Sequence, residues 1–102
     1  MPERKDVVAI KNIWLISEER LIKRIIGIPG DIIKIEGGKV HINGELLEEP
    51  YVKGETRPDM GPFRLKADTY FVMGDDRERS NDSRSLGCIR KSEIKGKIIG
   101  GK

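Results

Sequence analysis

Lys23 and Arg24 interrupt a run of leucine and isoleucine, "LIKRIIGI", that ends at Pro29-Gly30-Asp31. Side chains of a strand alternate between its faces. Leu21, Lys23, Ile25 and Gly27 therefore share one face, and Ile22, Arg24, Ile26 and Ile28 the other. Both faces are otherwise apolar, which argues for a strand covered on both sides. A lysine held there loses hydration, its ammonium is disfavoured, and the amine can act as a neutral base at about pH 7. The competing reading is an edge strand from which Lys23 extends its amine to water. A second chemically dense stretch runs from Gly74 to Arg84, where Asp75, Asp76, Glu78 and Asp82 stand among Arg77, Arg79, Arg84, Ser80 and Ser83. It is either a solvated, self-pairing loop or a network of arginine–carboxylate bonds that immobilises a neighbouring side chain. It lacks EF-hand spacing, and its arginines argue against calcium.

The elements that must position these residues read as strands. Val7, Val8 and Ile10, then Ile13 to Ile16, form short strands before a polar turn at Ser17-Glu18-Glu19. Residues 20–28 form a third strand. Pro29-Gly30 suits the two central positions of a type II turn. Ile32, Ile33 and Ile35 lead through Gly37-Gly38 into residues 39–42, a β-hairpin pattern, and Asn43-Gly44 marks another turn. Residues 48–66 contain Pro50, Pro58 and Pro62 with Gly54 and Gly61; they read as a long functional loop, about 48–68, with at most an edge strand near Tyr51-Val52. Tyr70 to Met73 is a strand, and short apolar pieces (Cys88-Ile89, Ile94, Ile98-Ile99) close the chain. No apolar 3.6-residue period persists for three turns. The expectation is an all-β fold of antiparallel sheets with long loops, one helical turn at most, and a single domain over residues 1–102.

Composition limits the function classes. The chain has 102 residues, of which 36% are hydrophobic, 5% aromatic and 36% charged, with a net charge of +3. The core must therefore rest on Ile, Val and Leu, and the near-balance of charge suggests only mild attraction to anions. The single cysteine, Cys88, forms no internal disulfide and reads as an ordinary thiol in or near the core. No Cys/His cluster has metal-ligand spacing, so no metal or other cofactor is expected. No apolar stretch approaches the roughly 18 to 20 residues of a membrane span, and no signal peptide precedes the charged start, so the chain reads as soluble. His41 lies on the hairpin, at its surface, with no role assigned.

Taken together, the two dense stretches resemble the bacterial type I signal peptidases, serine endopeptidases with a Ser/Lys dyad. "KRIIGIPGDIIKI" is similar to the family's lysine box. "FVMGDDRERSNDSRSLG" is similar to the later box, usually Gly-Asp-Asn-Arg, two residues, Ser, one residue, Asp-Ser-Arg. "GGKVHINGELLEEPYV" between them is alike in kind, and the resemblance covers residues 5 to 100.

The resemblance implies a partly open, barrel-like β domain and a set of roles. Lys23 matches the general base that takes the proton from the nucleophilic serine, and Ser80 the serine that orients that lysine. Asp82 and Arg84 match the charged pair that braces the site, and Asp75 and Arg77 match supporting positions in the same loop. Implied substrates are the signal peptides of exported preproteins. Implied localisation of the whole protein is the bacterial cytoplasmic membrane, its catalytic domain on the extracytoplasmic face and in contact with the membrane surface. An amine base must be dry and held in one rotamer, within hydrogen-bond reach of its partner, and Ser–Lys is a known variant of triad chemistry.

Two departures stand out. Position 76 is Asp where the family box has Asn, although Arg77 and Arg79 are available to absorb the charge. The family's nucleophile lies in a Ser-Met-x-Pro box upstream of the lysine, after a membrane anchor, yet the serine among the 22 residues before Lys23 is Ser17, in Ile-Ser-Glu-Glu-Arg. The expectation is a fragment that carries the base without its nucleophile, or the oxyanion hole built near it, and that is inactive alone. The alternative is a non-catalytic paralogue acting as a binding or scaffold domain. The self-cleaving repressor proteases share Ser/Lys chemistry, but the Gly-Asp…Asp-Ser-Arg box counts against them. A nucleic-acid binder would need more stacking platforms than one Trp, two Tyr and two Phe, so no nucleic-acid partner is expected.

Overall fold

A computed structural model describes residues 2–11 and 20–98. The strand expected at Ile13 to Ile16 and the turn at Ser17 to Glu19 lie outside the described residues, as does Ile99. Within them the chain is almost entirely β: β1 Val7–Lys11, β2 Arg20–Gly27, β3 Ile32–Glu36, β4 Lys39–Ile42, β5 Glu45–Leu46, β6 Met60–Arg64, β7 Thr69–Met73, β8 Ile89–Arg90 and β9 Ile94–Lys97. One helical turn, α1 Ser83–Leu86, and a 3-10 turn at Lys91–Glu93 complete it. Among the described residues no helix is long and apolar enough to cross a membrane.

The strands form two antiparallel sheets, in orders β8-β7-β2-β1-β9 and β5-β4-β3-β6. Neither sheet closes into a complete barrel among the described residues, which matches the partly open fold expected. Alternation along β2 and β7 splits the core in two. Ile26, Phe71 and Met73 face Ile33, Ile35, Val40 and Ile42 of the second sheet. Ile25, Tyr70 and Val72 point the other way, toward Val8, Ile10 and Ile89 of their own curled sheet. The two central strands are therefore covered on both faces, and near-continuous apolar runs such as "IIGI" and "YFVM" are what such strands require.

The structure departs from the sequence expectation at several points. Residues 48–66 are not loop throughout: Met60–Arg64 is β6, paired with β3 at Ile33↔Phe63 and Ile35↔Met60. Pro62 is tolerated because β6 is an edge strand, where a missing N–H breaks no inner ladder. Tyr51-Val52 forms no strand; Lys53 instead makes an isolated parallel bridge with Asp76. The cover on β2 is uneven, since Ile22 is 54% exposed while Ile25 and Ile26 are fully buried. Gly27 does not share the Lys23 face. A register irregularity between Ile25 and Gly27 turns it toward Ile33 and Leu65, whose Cδ1 atoms would lie 2.5 and 2.9 Å from an added Cβ. Cys88 is exposed, and Ile89 beside it takes the core position. His41 is half-buried rather than at the surface.

Candidate active site

The site forms where β2 meets the loop leaving β7. Lys23 lies opposite Val8 on β1, and Arg24 opposite Met73, the last residue of β7. Gly74 to Asp82 then fold back over β2 before α1 begins. Alternation sends the two adjacent cations apart. Lys23 Nζ donates to Ser80 Oγ at 2.9 Å. Arg24, on the other face, makes a two-point bond to Asp75 at 2.9 and 2.8 Å and lies 3.8 Å over the ring of Tyr51, a cation–π contact. Burial, with Glu49 beside it, pushes the Tyr51 phenol up to about 12, so this ring stays neutral beneath the guanidinium.

Gly74 makes the Lys23–Ser80 approach possible. A Cβ there would fall 2.2 Å from Ser80 Oγ and 2.7 Å from Ser80 Cβ, so any larger residue would displace the serine. Asp82 holds the other end of the loop. It is fully buried, accepts the Gly74 N–H at 3.1 Å, and caps α1 by accepting the Arg84 N–H. Its carboxylate takes Arg84 Nε and Nη2, each at 2.8 Å. Arg84 also donates to the carbonyls of Ser80 and Arg57, and Ser83 Oγ accepts the buried Val72 N–H. Ser80 thus sits between two anchors, one on its own carbonyl and one on Gly74.

The surroundings shift the Lys23 amine toward its neutral form. Burial lowers the Lys23 pKa below its ordinary value; Asp82 raises it and Arg84 lowers it. Because Asp82 and Arg84 are bonded to each other, their opposing effects at Lys23 partly offset, and desolvation decides the direction. For Asp82, burial alone would raise the carboxyl, but the bonds from Arg84 and the Gly74 amide hold it below the usual value. A neutral Lys23 that donates one N–H to Ser80 keeps its lone pair for another proton, as a general base requires.

The remaining candidates surround this pair. Asp75 serves Arg24, as described. Arg77, with its side chain wholly buried, donates to the Gly74 carbonyl (2.8 Å), Thr56 Oγ1 (2.8 Å) and Glu49 (2.7 Å). Arg77 is therefore committed to Glu49, not to Asp76 next to it. Asp31 of the Pro-Gly-Asp turn is buried; it accepts two bonds from Arg4 at 2.7 Å, plus the Ile28 amide and Asn43 Nδ2. It fixes the exit of β2, and the Arg4 guanidinium and Ile28 amide hold its carboxyl below the ordinary value against burial. Gly74, Arg24, Glu49, Tyr51 and Thr56 were assigned no site role from the sequence. The glycine opening the Gly-Asp-Asp box and the arginine beside Lys23 carried a signal of proximity; Glu49 and Thr56 carried none. A cleft of about 360 Å³ opens on the Ser80 side of the loop, lined in part by Ser80, Asp82, Arg84 and Arg57; Lys23 does not line it. Ser17 lies outside the described residues. Among those residues, no group of His, Cys, Asp and Glu is placed to hold a metal.

With this geometry in place, the relatives are informative. The model of the family described as signal peptidase, peptidase S26, matches residues 1–100. Signal peptidase I of Leptolyngbya laminosa is 36% identical over 104 residues, covering 96% of this chain and 51% of that protein. Signal peptidase I S of Bacillus subtilis strain 168 is 34% identical over 106 residues, covering 92% and 55%. The chain thus spans about half the length of these curated relatives. The crystal structure of a signal peptidase I from Enterococcus faecalis V583 superposes with a TM-score of 0.82 at 27% identity, covering 97% of each chain.

Proposed function

The chain belongs to the signal peptidase family, peptidase S26, and from that premise we propose that it forms the base-bearing part of a signal peptidase. The whole protein would cleave signal peptides from exported preproteins at the membrane surface, through a serine acyl-enzyme. Lys23 takes the proton from the attacking serine and returns it to the leaving amine; a water activated by the same amine then hydrolyses the acyl-enzyme. Ser80 orients the amine, Asp82 and Arg84 brace Ser80, and Asp75 and Arg77 hold the loop that carries it. The observation that carries this reading is the Lys23 Nζ–Ser80 Oγ bond at 2.9 Å, at a half-buried lysine whose pKa burial lowers.

The attacking serine is the missing part. Residues 1–102 contain no Ser-Met-x-Pro box, and the donors that would stabilise the oxyanion accompany that box in the family. These residues alone are therefore expected to cleave nothing. Incubation with a signal-peptide substrate tests this: specific cleavage at the signal-peptide junction would overturn it. The role of Lys23 is tested separately, by following the side-chain Cε resonance with pH. A titration below the ordinary lysine value supports the base; a value at or above about 10.4 removes it.

A further inference from the structure

Gly74 is the point through which the Lys23–Ser80 geometry is set. Ser80 Oγ packs so closely against it that no Cβ fits, so the backbone of Gly74 forms the wall against which the hydroxyl meets the amine. The peptide groups on either side of Gly74 are each held: Asp82 takes the Gly74 N–H at 3.1 Å, and Arg77 Nε donates to the Gly74 carbonyl at 2.8 Å. Arg77 cannot bring a wholly buried guanidinium there alone, because an uncompensated buried charge is strongly unfavourable. Glu49 supplies the counter-charge. Its Oε2 accepts Nη2 at 2.7 Å and its Oε1 accepts Nη1 at 3.3 Å, with Thr56 Oγ1 taking the same Nη1 at 2.8 Å.

We propose that Glu49 is a positioning residue for the Lys23–Ser80 pair, acting through Arg77 on the Gly74 carbonyl. The inference rests on the reading of Lys23 as the base. Glu49 stands 28 residues before Arg77, at the start of the Glu-Pro-Tyr stretch, and acts through contacts in series. The same stretch is held to the box a second time, by the Tyr51 ring beneath Arg24 and by Lys53, whose N–H donates to the Asp75 carbonyl.

A positioning role and a simple charge effect act on Lys23 in opposite directions. Removing the Glu49 carboxylate takes away negative charge, which by Coulomb's law lowers the affinity of a nearby amine for its proton. Releasing Arg77 loosens Gly74 and admits water to the amine, which raises that affinity. The measurement is NMR on the whole chain, comparing Glu49→Gln with the parent. Two results are expected: Gly74 amide exchange about tenfold faster or more, as for the loss of one charge-assisted bond, and Lys23 titrating at higher pH. Thr56→Val, a milder cut at the same guanidinium, is expected to move both readouts less in the same direction, and it decides the matter if Glu49→Gln does not fold. Glu55→Gln, on an exposed carboxylate of the same loop, is expected to move neither. A folded Glu49→Gln chain with unchanged Gly74 exchange, or with Lys23 unmoved or lowered, overturns the proposal. An ordinary lysine titration in the parent chain overturns instead the base reading on which it rests.

Discussion

Two charged loops of this chain look alike in sequence and fold to opposite ends. Residues 53–59, "KGETRPD", and residues 74–84, "GDDRERSNDSR", both mix arginine, acids and glycine in near balance. In the first, Arg57 bonds Glu55 at 2.8 Å with both side chains more than half exposed. In the second, Arg84 pairs with Asp82 at 6% and 0% exposure, and Arg77 with Glu49 at 0% and 9%. The difference lies in what else each guanidinium reaches. Arg57 reaches two carboxylates in water, Glu55 and Asp59. Arg77 and Arg84 each reach a carboxylate and at least one backbone carbonyl, so their donors are satisfied away from water. A buried cation persists only where such a set of acceptors has been assembled. That set lies against Lys23, whose amine the fold partly desolvates.

The largest expected effect comes from breaking the buried side of this contrast. Asp82→Asn keeps the shape of the cap but leaves the Arg84 guanidinium without its counter-charge. It is expected to cost about 3–5 kcal/mol of folding stability, read from the shift in denaturant midpoint at constant slope. The pH dependence has a definite sign. The Asp82 carboxyl is lower in the folded chain than its ordinary value of 3.8, so its contribution is complete above that value and is lost as pH falls through the folded value. The Asn variant should lack that part of the acid transition.

Next in size is Gly74→Ala. The added methyl would occupy the place of Ser80 Oγ, and overpacking of this kind typically costs about 1–3 kcal/mol. The companion variant Gly74→Ala/Ser80→Gly removes the clash and is expected to recover most of the stability. In the single variant, Lys23 should titrate closer to an ordinary lysine. Recovery of stability in the double variant without return of the depressed titration would separate packing from the positioning of the amine.

What was legible in the sequence follows the same division between local and distant causes. β2, β7 and the β3–β4 hairpin were readable because alternation and the Gly37-Gly38 turn act over a few residues. The matching of Lys23 to Ser80 was readable only because two long boxes were recognised together; neither stretch settled its own reading. β6 was missed because proline and glycine dominate its neighbourhood, and only its pairing with Ile33 and Ile35 makes it a strand. The Gly27 face was misassigned because alternation fails at the irregularity after Ile25. Exposure of Cys88 follows from its position one residue before the β8 isoleucine that fills the core. Glu49 and Thr56 were invisible as site residues. Their partner Arg77 lies 28 and 21 residues away, and only the tertiary fold turns an acid in a Pro/Gly-rich stretch into a buried ligand for it.

A smaller effect concerns Lys23 itself and sharpens the contrast from the amine's side. Its folded pKa is lowered from 10.5, so below the folded value the chain bears the unfavourable work of holding a half-buried ammonium. Between the folded and unfolded values the unfolded chain binds more protons, and stability should rise with pH across that window. Lys23→Met removes the titrating group. Its unfolding midpoint is expected to equal or exceed that of the parent at neutral pH and to lose that rise. A parent chain whose stability falls across the same window would contradict the direction of the shift.

The smallest effect belongs to the exposed loop. Arg57 and Glu55 face water, where Coulomb attraction is weak and screened by salt, and holding two long side chains together opposes it entropically. Arg57→Gln, Glu55→Gln and the double variant should therefore leave the unfolding midpoint unchanged within error, with no coupling in the double-mutant cycle. The Arg57 backbone carbonyl accepts from Arg84, but that bond survives either side-chain change. The cycle thus isolates the surface pair from the buried network that touches the same residue. A measurable coupling would mean that the exposed pair helps hold the carbonyl under Arg84, and the line drawn between the two loops would then have to move to include Arg57.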